Sequence, residues 1–299
     1  NNNHAYYVPY KKQKEEGIES LTNLLNDDNL IENDDFIVED HPQFNKLIDE
    51  IENSKVQYLF TMGKGGVGKT TVATQLATAL SNKGYRVLLA TTDPTKEINV
   101  ETTSNLNTAY IDEEQALEKY KKEVLATVND DTPQDDIDYI MEDLKSPCTE
   151  EIAFFKAFSD IMENQDDMDY VIVDTAPTGH TLLLLDSSEN HHRELKKKST
   201  QTTSNVETLL PKIQNKNLTQ MIIVTLAEKT PYLESKRLVE DLNRANIGHN
   251  WWVVNQSLVT LNQRDDLFSN KKEDESFWIN KIKYESLDNY FVIPYGGLS

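Results

Sequence analysis

Val56-Gln57-Tyr58-Leu59-Phe60-Thr61-Met62 runs straight into Gly63-Lys64-Gly65-Gly66-Val67-Gly68-Lys69-Thr70, and Thr70–Lys83 follows with Val72, Ala73, Leu76, Ala77 and Leu80 on one helical face. The first stretch is a short apolar run of strand-forming residues, and the last has the spacing of an amphipathic helix. The eight residues between them satisfy G-x-x-x-x-G-K-[ST]. Their position at a strand-to-helix turn is what the chemistry requires. Glycines let backbone N–H groups turn inward around phosphate oxygens, and the helix N-terminus adds partial positive charge. Lys69 is expected to reach the β- and γ-phosphates, and the Thr70 hydroxyl to ligate Mg²⁺. A chance glycine-rich turn is the competing reading, and the flanking elements count against it. The chain is expected to bind a nucleotide.

Working outward, similar short runs recur at Tyr85–Thr91, Tyr170–Asp174, Met221–Leu226, Trp251–Val254 and Tyr290–Ile293, separated by helical patterns. Alternating strands and helices predict a doubly wound α/β fold, a mostly parallel sheet with helices on both faces, as in P-loop NTPases. Ligands of such sheets sit at the carboxyl ends of the strands. Two acids fall there. Asp93 closes one strand as Thr92-Asp93-Pro94, and Asp174 closes another as Asp174-Thr175-Ala176-Pro177-Thr178-Gly179-His180-Thr181. One suits orienting an attacking water and the other suits Mg²⁺ through its water shell. Each alone is equally well read as a turn or capping Asp.

Lys64, a second lysine at the start of the loop, resembles the deviant phosphate loop shared by cell-division positioning ATPases, partition ATPases, nitrogenase iron protein and metalloid-pump ATPases. That resemblance implies a lysine reaching the partner's nucleotide across a dimer interface. The DTAPTGHT segment narrows it: it looks like the second switch of the arsenical pump-driving ATPases and of the related targeting ATPases for tail-anchored proteins. Thr92-Asp93-Pro94 matches the first switch, whose Asp acts on the hydrolytic water. Asn255, in Val253-Val254-Asn255-Gln256-Ser257-Leu258, matches a position where the family reads the adenine edge. The resemblance also implies nucleotide contacts from Gly63, Gly65, Gly66, Val67, Gly68, Thr71 and Pro294, and Mg²⁺ held by Thr70, Asp93 and Asp174.

Leu144–Phe158 (LKSPCTEEIAFFKAF) resembles a stretch in the second half of the tandem arsenical pump ATPases. It implies that Cys148, with Ser146 and His180, contributes to an As(III) or Sb(III) site, for which a thiolate is suitable chemistry. By residue type alone a lone cysteine is a small buried hydrophobe. The pump reading implies ATP hydrolysis that drives metalloid export, stimulated by As(III)/Sb(III) bound between two ATPase halves. Its implied partners are a homologous half, an integral-membrane arsenite efflux pump and an arsenic metallochaperone. The alternatives are a tail-anchor targeting ATPase and, more remotely, a positioning or partition ATPase.

Composition agrees with these expectations. The 299 residues carry 30 Lys+Arg against 51 Asp+Glu, a net charge of −21, which disfavours a nucleic-acid-binding face. The apolar runs are far shorter than the roughly 18 residues of a bilayer span. A single cysteine rules out an internal disulfide framework and fits a reducing cytosol, where the pump reading places the protein at the inner face of the membrane. Tyr7-Val8-Pro9-Tyr10 is echoed by Val292-Ile293-Pro294-Tyr295, and Asn26–Asp40 between the copies holds seven acids and no Lys or Arg. Residues 1–25 are therefore expected to end a preceding homologous half. Residues 26–54 would form an acidic linker with a lead-in helix over Pro42–Asn53, and 55–299 the ATPase domain. Coincidence is the bland reading of so short a repeat.

Overall fold

Strands made of continuous apolar runs need cover on both faces, and the chain supplies it by alternating strand and helix. The computed structural model describes residues 40–91, 104–126, 128–129, 132–163, 167–174, 211–261 and 266–296. In chain order the elements are α1 (Phe44–Ser54), β1 (Tyr58–Met62), α2 (Lys69–Asn82), β2 (Val87–Thr91), β3 (Leu106–Tyr110), α3 (Glu113–Leu125), α4 (Gln134–Asp143) and α5 (Pro147–Glu163), followed by β4 (Tyr170–Asp174), β5 (Thr219–Thr225), α6 (Lys229–Arg244), β6 (Trp251–Ser257), α7 (Asp266–Glu285) and β7 (Tyr290–Pro294). Among the described residues the strands form one seven-stranded sheet in the order β3-β2-β4-β1-β5-β6-β7, every pairing parallel. The expected doubly wound α/β architecture is present.

Successive strand side chains point to opposite faces, so one run serves two cores. Leu59, Ile172, Ile222 and Val224 pack with Leu76 and Leu80 of α2 and with Phe44, Leu47 and Ile51 of α1. Phe60, Val171, Val173, Met221 and Ile223 face the other way, toward Leu238 and Leu242 of α6 and Ile279 and Ile282 of α7. The lead-in helix α1 is thus packed into the domain's core. Burying Phe44, Leu47, Ile48 and Ile51 contributes roughly 6–12 kcal/mol before conformational entropy is subtracted. Trp251 Nε1 donates to Glu50 Oε2 at 3.0 Å, and Val292 N–H donates to the Pro42 carbonyl at 2.8 Å, tying α1 to β6 and β7.

Two strand expectations change. Strand β3 had no counterpart in the pattern. Its sequence, LNTAY, buries only Leu106 and leaves most of the rest in solvent, as an edge strand does, so no apolar run announces it. Strand β6 extends past Val254 to Ser257, through a register shift against β7. The terminal repeat's first copy, the acidic stretch 26–39, Asp93 and His180 lie outside the described residues. No described helix is long and apolar enough to cross a membrane.

Candidate active site

Because the sheet is parallel, β1, β2, β4, β5 and β6 end at one edge, and Gly63–Gly68 loops over the end of β1 there. Packing determines the loop's path. A Cβ at Gly63 would lie 2.1 Å from the Val224 carbonyl oxygen of β5, so only glycine allows this approach. The Val67 side chain anchors the loop in the core beside α2. Gly68 caps α2 with φ 91°, a left-handed conformation natural to glycine. Gly65 and Gly66 remain exposed, and Thr71 lies exposed in the first turn of α2. Lys69, only 8% exposed, donates from Nζ to the Lys64 carbonyl at 3.2 Å, which holds the ammonium against the loop. Lys64 itself is half-buried. Glycine-rich backbone, a helix N-terminus and a lysine therefore converge, the composition of an anion site.

Asp174 meets this loop from the neighbouring strand. It is 4% exposed and accepts a hydrogen bond from Thr70 Oγ1 at 2.5 Å. Two longer contacts of 3.4 Å come from Thr61 Oγ1 of β1 and Thr91 Oγ1 of β2. Register explains the cluster: Thr61 and Thr91 both sit opposite Asp174. A hydroxyl and a carboxylate this close are the hard oxygen donors that Mg²⁺ takes together with water and phosphate oxygens. The residues present fit that ion. Sequence reasoning singled out Thr70 and Asp174 but missed Thr61 and Thr91, because nothing in a strand's own sequence states which residue will pair with it.

On the other side of the loop, Asn255 is buried and bonded to it. Its Nδ2 donates to the Val67 carbonyl at 3.0 Å, and its Oδ1 accepts from the Gln256 N–H at 2.9 Å. The structure therefore brings Asn255 to the loop. Pro294 pairs with Ser257 at the same sheet edge, and the Tyr295 N–H donates to the Ser257 carbonyl. Behind Asn255, the buried Glu275 of α7 accepts from Ser257 Oγ at 2.8 Å and from the Leu258 N–H at 2.7 Å. Burial pushes the Glu275 carboxyl up from its ordinary value, against the pull of these donors. Lys272, also buried, donates to the Leu261 carbonyl. Both were absent from the sequence reading.

Of the metalloid residues, Cys148 falls in the first turn of α5, and Ser146 immediately precedes that helix. The Ser146 carbonyl accepts from the Thr149 N–H at 3.0 Å, and Thr149 Oγ1 donates to the Asp143 carbonyl at 2.6 Å, closing the turn between α4 and α5. The Cys148 side chain and His180 lie outside the described residues. Among the described residues, no three of His, Cys, Asp or Glu come together as a metal site.

Comparison with known proteins agrees with this geometry. A family model described as anion-transporting ATPase matches residues 56–209 and 187–293. An arsenical pump-driving ATPase of Escherichia coli is 35% identical over 286 residues, covering 93% of this chain and 48% of the relative. One from Acidiphilium multivorum is 38% identical over 252 residues, covering 83% of this chain and 43% of the relative. More distantly, the ATPase GET3 of Meyerozyma guilliermondii is 27% identical over 301 residues, covering 81% of this chain and 85% of its own length. The chain spans about half the length of the arsenical pump relatives it matches. With a glycine loop at the end of β1, a lysine lying on it and a carboxylate bonded to its threonine, the chain belongs to the anion-transporting ATPase family.

Proposed function

We propose that this chain is one ATP-hydrolysing half of an arsenical pump-driving ATPase, coupling Mg·ATP hydrolysis to export of As(III) or Sb(III) through a membrane partner. The observation that carries the reading is the Thr70–Asp174 contact at 2.5 Å beside Lys69, supported by 35–38% identity to proteins named for that activity. In this reading the loop N–H groups and Lys69 hold the β- and γ-phosphates. Thr70 and Asp174 hold Mg²⁺, with Asp93 as a further ligand, and the ion supplies neutralisation of phosphate charge. Asp93 orients the attacking water, and Lys64 stabilises charge on the leaving phosphoryl group at the partner half's nucleotide. Fixed donors of this kind act mainly by electrostatic preorganisation.

Cys148, Ser146 and His180 are proposed to contribute this half's share of the metalloid site, with the rest supplied by a homologous half. Metalloid bound between the halves would then favour the closed pair in which both nucleotide sites are complete. The cytoplasmic face of the membrane, an efflux pump and a metallochaperone follow as proposed surroundings. The second reading, a targeting ATPase for tail-anchored proteins, has the weaker support of a 27% relative.

Steady-state ATPase activity of the full-length protein, with and without antimonite, tests the reading. Wild type should be stimulated, and Cys148→Ser should weaken the stimulation while sparing basal turnover. Lys69→Ala in this half should lower turnover by about 10²-fold or more at this site. Stimulation identical in wild type and Cys148→Ser would remove Cys148 from the metalloid site. Basal activity with no antimonite response in the wild type would shift the weight to the targeting reading.

A further inference from the structure

The turn that follows Asn255 is held in an uncommon conformation from two sides. Gln256 takes φ 55°, left-handed and unfavourable for a residue with a side chain, although it stands exposed. Register between β6 and β7 shifts across the same residues. Such backbone persists only where neighbouring contacts over-determine it, and it concentrates beside ligand sites. On the near side, Asn255 Oδ1 accepts from the Gln256 N–H. On the far side stands Glu275 of α7, only 5% exposed, with one carboxylate oxygen accepting from Ser257 Oγ at 2.8 Å and from the Leu258 N–H at 2.7 Å. The same hydroxyl accepts from the Val259 N–H at 3.3 Å, so Glu275 gathers the residues from Ser257 to Val259. One turn earlier on α7, Lys272 donates to the Leu261 carbonyl and fastens the other end of the segment.

What this turn presents is Asn255. A side-chain amide has two N–H donors and two acceptor positions. The Val67 carbonyl and the Gln256 N–H take one of each, which leaves one donor and one acceptor for a ligand. The N6–H and N7 edge of adenine complements that pair. Position agrees with it. Thr70 and Asp174 meet on the β4 side of the loop, where Mg²⁺ and the terminal phosphates would be held, so the base lies away from them, toward β6 and Pro294 of β7. We propose that Glu275 is a positioning residue of the nucleotide site: it holds the turn after β6 so that the Asn255 amide meets the base, and it acts on base recognition without acting on phosphate binding. The inference rests on the reading of Gly63–Thr70 as the phosphate loop.

The test measures dissociation constants in Mg²⁺ for ATP and inorganic tripolyphosphate in the full-length protein, with Lys69→Ala titrated alongside to subtract binding elsewhere. Glu275→Ala should weaken ATP by about tenfold and leave tripolyphosphate within about twofold of wild type. Glu275→Gln should keep the wild-type affinity for ATP, because its amide oxygen can accept from the same Ser257 hydroxyl and Leu258 N–H. Equal weakening of both ligands would make Glu275 a general support of the domain and overturn the proposal. Unchanged ATP affinity in Glu275→Ala would overturn it too, as would Glu275→Gln binding ATP no better than Glu275→Ala. Near-UV circular dichroism checks folding. Should Glu275→Ala fail that check, Ser257→Ala takes its place, since it deletes one donor of the clamp. It should lose about threefold in ATP affinity with tripolyphosphate unchanged, and any other pattern overturns the proposal. Wild type binding no better than Lys69→Ala would overturn the phosphate-loop reading itself, an outcome separate from any difference among the clamp variants.

Discussion

Single glycines in the phosphate loop do different work, and the structure separates them. At Gly63 an added methyl would meet the Val224 carbonyl oxygen at 2.1 Å, and backbone oxygen in the middle of a sheet has nowhere to move. At Gly65 no atom lies within 4 Å of the same position. Gly63→Ala should therefore lower unfolding stability by about 2–4 kcal/mol, from overpacking and positive-φ strain. Gly65→Ala should stay within about 0.5 kcal/mol, as an exposed substitution does. Urea unfolding of both variants measures the difference, and equal losses would show that the wedge at Val224 relaxes freely. The motif alone makes the two positions look equivalent, since both are glycines of one eight-residue pattern.

Elements carry the next layer. Helix α7 packs across the end of β6, and its Glu275 is buried while accepting from Ser257 and Leu258. Burial is the larger influence on this carboxyl and raises its pKa above the ordinary 4.5. The folded chain therefore keeps that proton to higher pH than the unfolded chain does. Linkage then determines the sign: this group's contribution to stability is greatest below pH 4.5, declines as pH rises toward the raised folded value, and is level above it. Glu275→Gln should flatten that part of the profile of melting temperature against pH. A profile unchanged by the substitution would mean that Glu275 titrates alike in both states. The α7 clamp was not legible beforehand, because Glu275 sits in a charged run, Lys271-Lys272-Glu273-Asp274-Glu275, that reads as a solvated helix face. Helix α2 was legible, since its apolar spacing matches the face it buries.

For the whole molecule, a net charge of −21 is the feature that no single contact removes. Like charges on one chain repel, and salt screens them within a Debye length of about 10 Å at 0.1 M. Melting temperature should rise between 10 mM and 150 mM sodium chloride by about a few degrees. A fall would mean that the surface ion pairs, such as Arg86–Asp169, outweigh the general repulsion. What the sequence determined alone was local: a loop whose glycines and lysine stand at required intervals, an amphipathic helix behind it, and apolar runs that had to become buried parallel strands. These are patterns within a few turns or residues, and local sterics and side-chain periodicity are enough to read them. Tertiary structure decided the rest. Edge strand β3 exists because β2 offers it a partner. Thr61 and Thr91 reach Asp174 because parallel register sets them beside it. Asn255 reaches Val67 because a bulge in β6 turns it across 188 residues of chain. Register and bulge depend on pairings between distant segments, and no single segment encodes them.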